Sequence, residues 1–312
     1  MTHTASSGDP VSAMTQPRDA APARRRVDAR LTLGLMLLPA LLLCGVFILL
    51  PVAMTILGSF YRFGLGGNGS FVGLENYRRA TLDPVFWIAL RNNVIIVVGS
   101  VILQVGFGAV LAAILDRGIA VGRVVFRTII FAPMVVSSVA VALIWLIVLD
   151  PNIGPMNAVV KAVGLTPPKL GWLGDPSISI FVLLIVAAWQ YTGFMMVLIL
   201  AGLQGISKDI YDAAALDGAR GLRAFWYITL PSIRNVLIVA ILITTIGAFK
   251  VFDLVYVMTR GGPANATQVM GTYVYLQAFT IGDMGFANAI SVVLLLIALV
   301  LGWLQLKTSR RA

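Results

Sequence analysis

Two groups of residues in this 312-residue chain have types and spacings that could do chemistry. One is a polar stretch between apolar runs, Tyr211–Pro231, reading YDAAALDGARGLRAFWYITLP. It sets Asp212, Ala213 and Ala214 ahead of Gly218, then closes on Ile228-x-Leu230-Pro231. The other is a pair of opposite charges, Lys250 and Asp253, inside the apolar run GAFKVFDLVYVM. A charge near the bilayer centre costs roughly 3 kcal/mol or more, so such groups pair or face a cavity. At this spacing the two would share one face of a helix. They are then either a self-neutralising pair near the outer end of the helix or a polar lining of a translocation path. Trp189, Gln190 and Tyr191 add planar polar and aromatic groups of the kind that hold sugars. Interfacial or interhelical packing explains them equally well. Thr244, Thr245 and Asn288 are weaker candidates of the same kind.

Catalytic chemistry has little to work with. The one histidine is His3 and the one cysteine is Cys44, so neither a soft-metal cluster nor an intrachain disulfide is expected. There is no GxxxxGK[ST] phosphate loop, so the chain is not expected to hydrolyse ATP itself.

The elements that position these residues follow from composition. The chain is 59% hydrophobic and 12% charged, against about 25% charged in soluble domains. That predicts an all-α polytopic membrane protein. Six apolar segments are long enough to cross about 30 Å of hydrocarbon as helices, near residues 31–56, 94–115, 129–149, 178–203, 236–258 and 286–306. Pro39, Pro51 and Pro133 lie in or near them and are expected to kink helices. The net charge of +10 does not point to nucleic acid, because the basic residues are scattered between apolar runs. They also give an orientation. Of 23 Lys and Arg, fifteen lie in the N-terminal tail, the 115–129 and 203–236 connections and the C-terminus. Seven lie in the alternate connections, and Lys250 is within a span. The positive-inside rule then puts both termini and Tyr211–Pro231 in the cytoplasm. Residues 1–30, rich in Ala, Pro, Ser, Thr and Arg, read as a disordered tail, and 308–312 as a short cytoplasmic end. The first apolar run is too long for a secretory signal and is expected to remain as a span.

The polar stretch reads as helix, glycine, helix. Ser207 is the expected N-cap, with Asp209 and Asp212 in the first turns where the helix dipole favours anions. Three alanines, Ala213–Ala215, favour helix with little bulk, and Gly218 would end or bend it. Leu222, Phe225, Trp226 and Ile228 give an apolar face at roughly helical spacing. An amphipathic helix lying on the bilayer is the competing reading.

With Asp-Ala-Ala, three residues, Gly218, nine residues and Ile-x-Leu-Pro in this order, the segment 207–231 resembles the EAA loop of binding-protein-dependent ABC importer permeases. The family usually has Glu where this chain has Asp212. Ala201-Gly-Leu-Gln-Gly-Ile206, Thr259-Arg-Gly-Gly-Pro-Ala-Asn-Ala-Thr267 and Phe71-Val-Gly-Leu-Glu-Asn-Tyr77 are similar to further segments of the carbohydrate-importing branch, of maltose and glycerol-3-phosphate type. The resemblance implies a type I importer permease domain over 31–307 in a bacterial cytoplasmic (inner) membrane. Asp212, Ala213, Ala214, Gly218, Leu230 and Pro231 would dock on an ATPase dimer that binds the ATP and Mg. The resemblance also implies a second, different permease and an extracytoplasmic solute-binding protein. It leaves Gly261, Gly262 and Pro263 as a turn or as a surface meeting that binding protein. The rival classes are a stand-alone secondary transporter, which would carry ionisable groups in several spans, and a non-transporting scaffold.

Overall fold

The structure, a computed structural model, describes residues 29–63, 69–116 and 122–309. The expected tail falls outside these except for its last two residues, and so do residues 310–312 of the C-terminal end. The chain forms two compact units, divided after Pro51.

In the first unit, α1 (Ala29–Cys44) passes through Pro39 and widens into a π-helical stretch over Gly45–Leu49. There the Leu50 N–H reaches the Gly45 carbonyl, a five-residue step, just before Pro51, which has no N–H to offer. α2 (Leu50–Gly58) continues into the second unit. Leu37, Phe47 and Ile48 are exposed, as side chains that meet hydrocarbon would be.

The second unit begins with a short antiparallel pair, β1 (Tyr61–Phe63) and β2 (Gly69–Phe71), with Tyr61 opposite Phe71. The Phe71–Tyr77 motif then enters α3 (Glu75–Leu82). Its Asn76 is fully buried and donates to the carbonyls of Ser59 and Tyr61, both at 2.9 Å. The Tyr77 hydroxyl lies 2.7 Å from that of Ser59. The motif is therefore a clamp that closes the chain end of α2 onto α3.

Asp83 caps α4 (Pro84–Ser100), accepting from the Val85 N–H at 2.8 Å with Pro84 in the first turn. α4 runs through a π-helical stretch, Val101–Gly106, into α5 (Phe107–Asp116), one apolar run from Pro84 to Asp116. It starts well before the expected residue 94, because the cap and the proline set the start while hydropathy marks only the apolar part.

The segment expected as one span at 129–149 is two helices, α6 (Arg123–Val135) and α7 (Ser138–Val148), bent by 101°. Pro133 weakens the end of α6, Val136 is extended, and Ser137 caps α7 by accepting from the Ala140 N–H. α8 (Pro155–Ala162) follows in the connection to α9 (Ser179–Leu203). α9 is the most buried of the long helices and packs against α4, α5 and α6. Gly193 makes the α6 contact possible: a Cβ there would sit 2.1 Å from the Ile130 carbonyl oxygen.

α10 (Lys208–Leu216), α11 (Leu222–Ala224), a π-helical stretch at Phe225–Thr229 and α12 (Leu230–Ser232) form the polar stretch. α13 (Arg234–Phe249) then crosses and α14 (Asp253–Met258) follows a break. α15 (Met270–Tyr275) and α16 (Met284–Ser309) complete the unit. Among the described residues, four helices are long and apolar enough to cross a membrane, or six if each of two bent pairs is one span.

Candidate functional site

The break in the fifth span builds the site. The sequence places Lys250 and Asp253 on one helical face, but the helix ends at Phe249 and resumes at Asp253. One backbone group freed there, the Phe249 carbonyl, is met from α4. Asn93, fully buried, donates from Nδ2 to the Phe249 carbonyl at 2.9 Å and accepts the Met270 N–H on Oδ1 at 2.7 Å. Its neighbour Asn92 donates to the carbonyls of Ala266 and Gln268, both at 2.8 Å. Asn93 thus takes up a carbonyl at the end of the interrupted helix, and Asn92 fixes the loop that leads into α15. Lys250 and Asp253 form no ion pair with each other; among the described residues, Arg78–Glu75, Arg79–Asp283 and Arg123–Asp116 do.

Both charges instead line a cleft of about 280 Å³ between α4, α6, α7, α9, α13 and the break. Gln190, Tyr191 and Thr244 line it too. Gln190 is 1% exposed and donates to the Val136 carbonyl at 3.1 Å, satisfying the bend between α6 and α7. The Tyr191 hydroxyl lies 2.9 Å from that of Ser138, and Thr244 donates to the Met195 sulfur at 3.5 Å. Three of the weaker or aromatic candidates fall elsewhere. Trp189 packs edge-on against Trp145, with ring centroids 5.6 Å apart, outside the cleft. Asn288 abuts Gly58, and Thr245 faces a small apolar recess beside α16. The reason is angular: Trp189 and Thr245 are one position away from cleft residues and so turn about 100° from them. Ser100, Gln104 and Ser138 line the cleft without having been singled out. The available signal was a polar residue within an otherwise apolar span.

The polar stretch presents a capped helix. Ser207 accepts the Asp209 N–H at 3.3 Å. At the other end Gly218 has φ +79°, and the Ala219 N–H reaches back to the Ala214 carbonyl at 2.8 Å. This is a Schellman-type stop that glycine makes without steric cost. Ala214 is buried while Asp212 and Ala213 are exposed. Leu216 is 90% exposed on the same helix, a protruding apolar side chain that sequence reasoning passed over. The Tyr211 hydroxyl lies 3.2 Å from that of Thr229, tying α10 to the following segment. That segment is π-helical, with Phe225 and Ile228 half-buried and Trp226 and Tyr227 exposed.

The Thr259–Thr267 loop is a self-bonded turn. The Thr267 hydroxyl donates to the Gly262 carbonyl at 2.5 Å and lies 2.7 Å from the Thr259 hydroxyl. Gly261 is buried at φ +85°, and a Cβ there would strike the Gln268 side chain at 2.3 Å. Arg260, Ala264 and Asn265 also hold positive φ, a strain that the surrounding bonds maintain. Pro263 closes the turn, half-buried.

A family model described as binding-protein-dependent transport system inner membrane component matches residues 104–312. The chain is 37% identical over 275 residues to the probable ABC transporter permease protein YurN of Bacillus subtilis (strain 168), covering 88% of this chain and 94% of that protein. It is 37% identical over 277 residues to the trehalose/maltose transport system permease protein MalF of Thermococcus litoralis, covering 88% and 92%. With the lactose transport system permease protein LacF of Rhizobium radiobacter it shares 35% identity over 275 residues, covering 87% and 92%. Among solved structures, a chain of a bacterial alginate ABC transporter in complex with its alginate-bound periplasmic protein superposes with a TM-score of 0.79 at 22% identity, covering 90% of this chain and 94% of that one. That likeness fixes the fold as the type I importer permease architecture. The chain therefore belongs to the inner membrane components of binding-protein-dependent transport systems, as an ABC transporter permease, a transport subunit rather than an enzyme.

Proposed function

We propose that this permease imports a carbohydrate or a related polyol or sugar phosphate, in company with a second, different permease, an ATPase dimer that binds ATP and Mg, and an extracytoplasmic solute-binding protein. The relatives named for trehalose/maltose and lactose transport support the solute class. The charge asymmetry of the connections supports cytoplasmic termini and a cytoplasmic α10. The observation that carries the coupling role is α10 itself: a helix capped at both ends, with Leu216 projecting almost wholly free of its own chain. A lone exposed leucine is unremarkable, but one at the tip of a rigid, small-residue helix fits a groove in a partner. Asp212, Ala213, Ala214 and Gly218 shape that helix, and Leu230 and Pro231 anchor the following turn to the membrane end of α13. Closure of the ATPase dimer on nucleotide would push α10 as a lever and switch the permease pair between inward- and outward-facing states. The solute would pass the cleft lined by Lys250, Asp253, Gln190, Tyr191 and Thr244. Leu216→Asp tests the docking role. The variant should insert normally but lose the ATPase subunit on purification of the complex, and full retention of that subunit would exclude α10 as the dock.

A further inference from the structure

A second opening in the chain, a groove of about 330 Å³, shares no lining residue with the cleft. Ile102, Phe107 and Val110 line it from the α4–α5 run, and Phe225, Trp226 and Leu230 from the segment that follows α10. Both elements are π-helical there, over Val101–Gly106 and Phe225–Thr229. Gly106 keeps the groove open: a Cβ there would meet no atom within 4 Å. Gly108 is different, because a Cβ there would lie 2.9 Å from the Met195 Cβ, so that glycine serves packing on α9. The segment forming the second wall is bracketed by cations. Arg223 precedes Phe225 and Arg234 follows Leu230, both exposed. Neither belongs to the three ion pairs found among the described residues. Trp226 and Tyr227 are exposed between them, the aromatic side chains that favour a membrane–water boundary.

These features restrict what fills the groove. Ile102 and Val110 lie roughly 9–21 Å along the helix from its polar end at Asp116, so the groove reaches into hydrocarbon, beyond a soluble subunit. A lipid chain or another span can enter. By the charge asymmetry of the connections this is the cytoplasmic end of the run, and the cytoplasmic ends of other spans are basic by the same rule. A neighbouring span would therefore bring like charge to Arg223 and Arg234. A phospholipid of the cytoplasmic leaflet brings the opposite charge, since that leaflet carries the anionic lipids, and guanidinium matches phosphate geometry. We propose that the groove is a binding site for an anionic phospholipid, one acyl chain lying over Gly106 and the headgroup drawn to Arg223 and Arg234. The leaflet assignment rests on the orientation proposed above. Bound there, the lipid joins the α4–α5 run to the segment after α10 and braces that segment.

The test uses the complete complex, with its partner permease and ATPase subunits, in phosphatidylcholine nanodiscs. A trace of phosphatidylglycerol or phosphatidylcholine with a photoreactive group on the acyl chain is the probe. Mass spectrometry of cross-linked peptides should place adducts on residues 102–110 and 225–230, about 30-fold more from phosphatidylglycerol, and Arg223→Gln and Arg234→Gln should each cut that preference about fivefold. Gly106→Leu fills the groove without a clash and should remove most of the adduct while the Tm of the complex holds. Equal labelling by the two lipids, or adducts undiminished in Gly106→Leu, would overturn the proposal, because lipid exchanging over an ordinary apolar face predicts both. Absence of adducts on both segments would overturn it in favour of a groove filled by the partner permease. If Gly106→Leu does not assemble, the exposed arginines decide: a preference unchanged in both variants would overturn the proposal.

Discussion

Gly218 shows how much a single backbone angle can decide. At φ +79° any Cβ is strained, although open space surrounds the position. Gly218→Val should therefore cost about 1–2 kcal/mol locally and fray the end of α10, whereas Gly218→Asn should be tolerated. The expected result is normal membrane insertion of both variants, with uptake and binding-protein-stimulated ATP hydrolysis falling together in the valine variant alone. This feature is legible in the sequence because a helix stop is local: Ser207, the alanines and Gly218 lie within one short segment. Lys250 and Asp253 are not legible in the same way. Their separation reads as a helical face, but the residue that takes up the carbonyl freed at the break, Asn93, lies 156 positions before Phe249. Lys250→Ala should lower uptake severalfold while leaving the assembled complex intact, as measured by yield and Tm. Loss of folded protein with no specific uptake defect would return Lys250 to a structural role.

At the scale of elements, hydropathy finds the spans but not their interruptions. Apolar length is a sum over neighbours in sequence, while a tolerated break depends on a distant side chain that takes up the freed backbone groups. Asn93 does this for α13 and α15, and Gln190 for the bend after α6. Asn93→Leu leaves a carbonyl and an N–H unpaired, at roughly 1–3 kcal/mol each. Thermal unfolding of the purified complex should show a clear drop in Tm, larger than for Asn93→Asp, which keeps the acceptor for Met270. The connection carrying α8 offers a second case, this one governed by pH. Backbone N–H groups of Ile153 and Asn152 hold the Asp150 carboxyl below the ordinary aspartate value, and Ser177 does the same for Asp175. Groups lowered by folding stabilise this connection above about pH 4, and that contribution is lost as pH falls through the lowered values. Hydrogen-exchange protection of Asn152 and Ile153 should thus persist at neutral pH and fade in acid. Protection that rose on acidification would contradict the assignment.

Within the second unit, one buried helix is surrounded by spans that are interrupted. α9 is mostly buried, and the cleft forms where the spans around it bend or break. Family membership was legible because its motifs are short and lie in order along the chain. The composition of the cleft was legible only in part, since Trp189 and Asn288 are as polar or aromatic as the residues that line it and differ only in where folding turns them. The central claim is that work enters this subunit from outside through α10, and uptake by the reconstituted complex tests it most directly. Vesicles holding this chain, its partner permease and the ATPase subunits should accumulate labelled sugar only when ATP is enclosed and the solute-binding protein is present. Accumulation driven by an ion gradient without ATP, or undiminished when the binding protein is omitted, would contradict it.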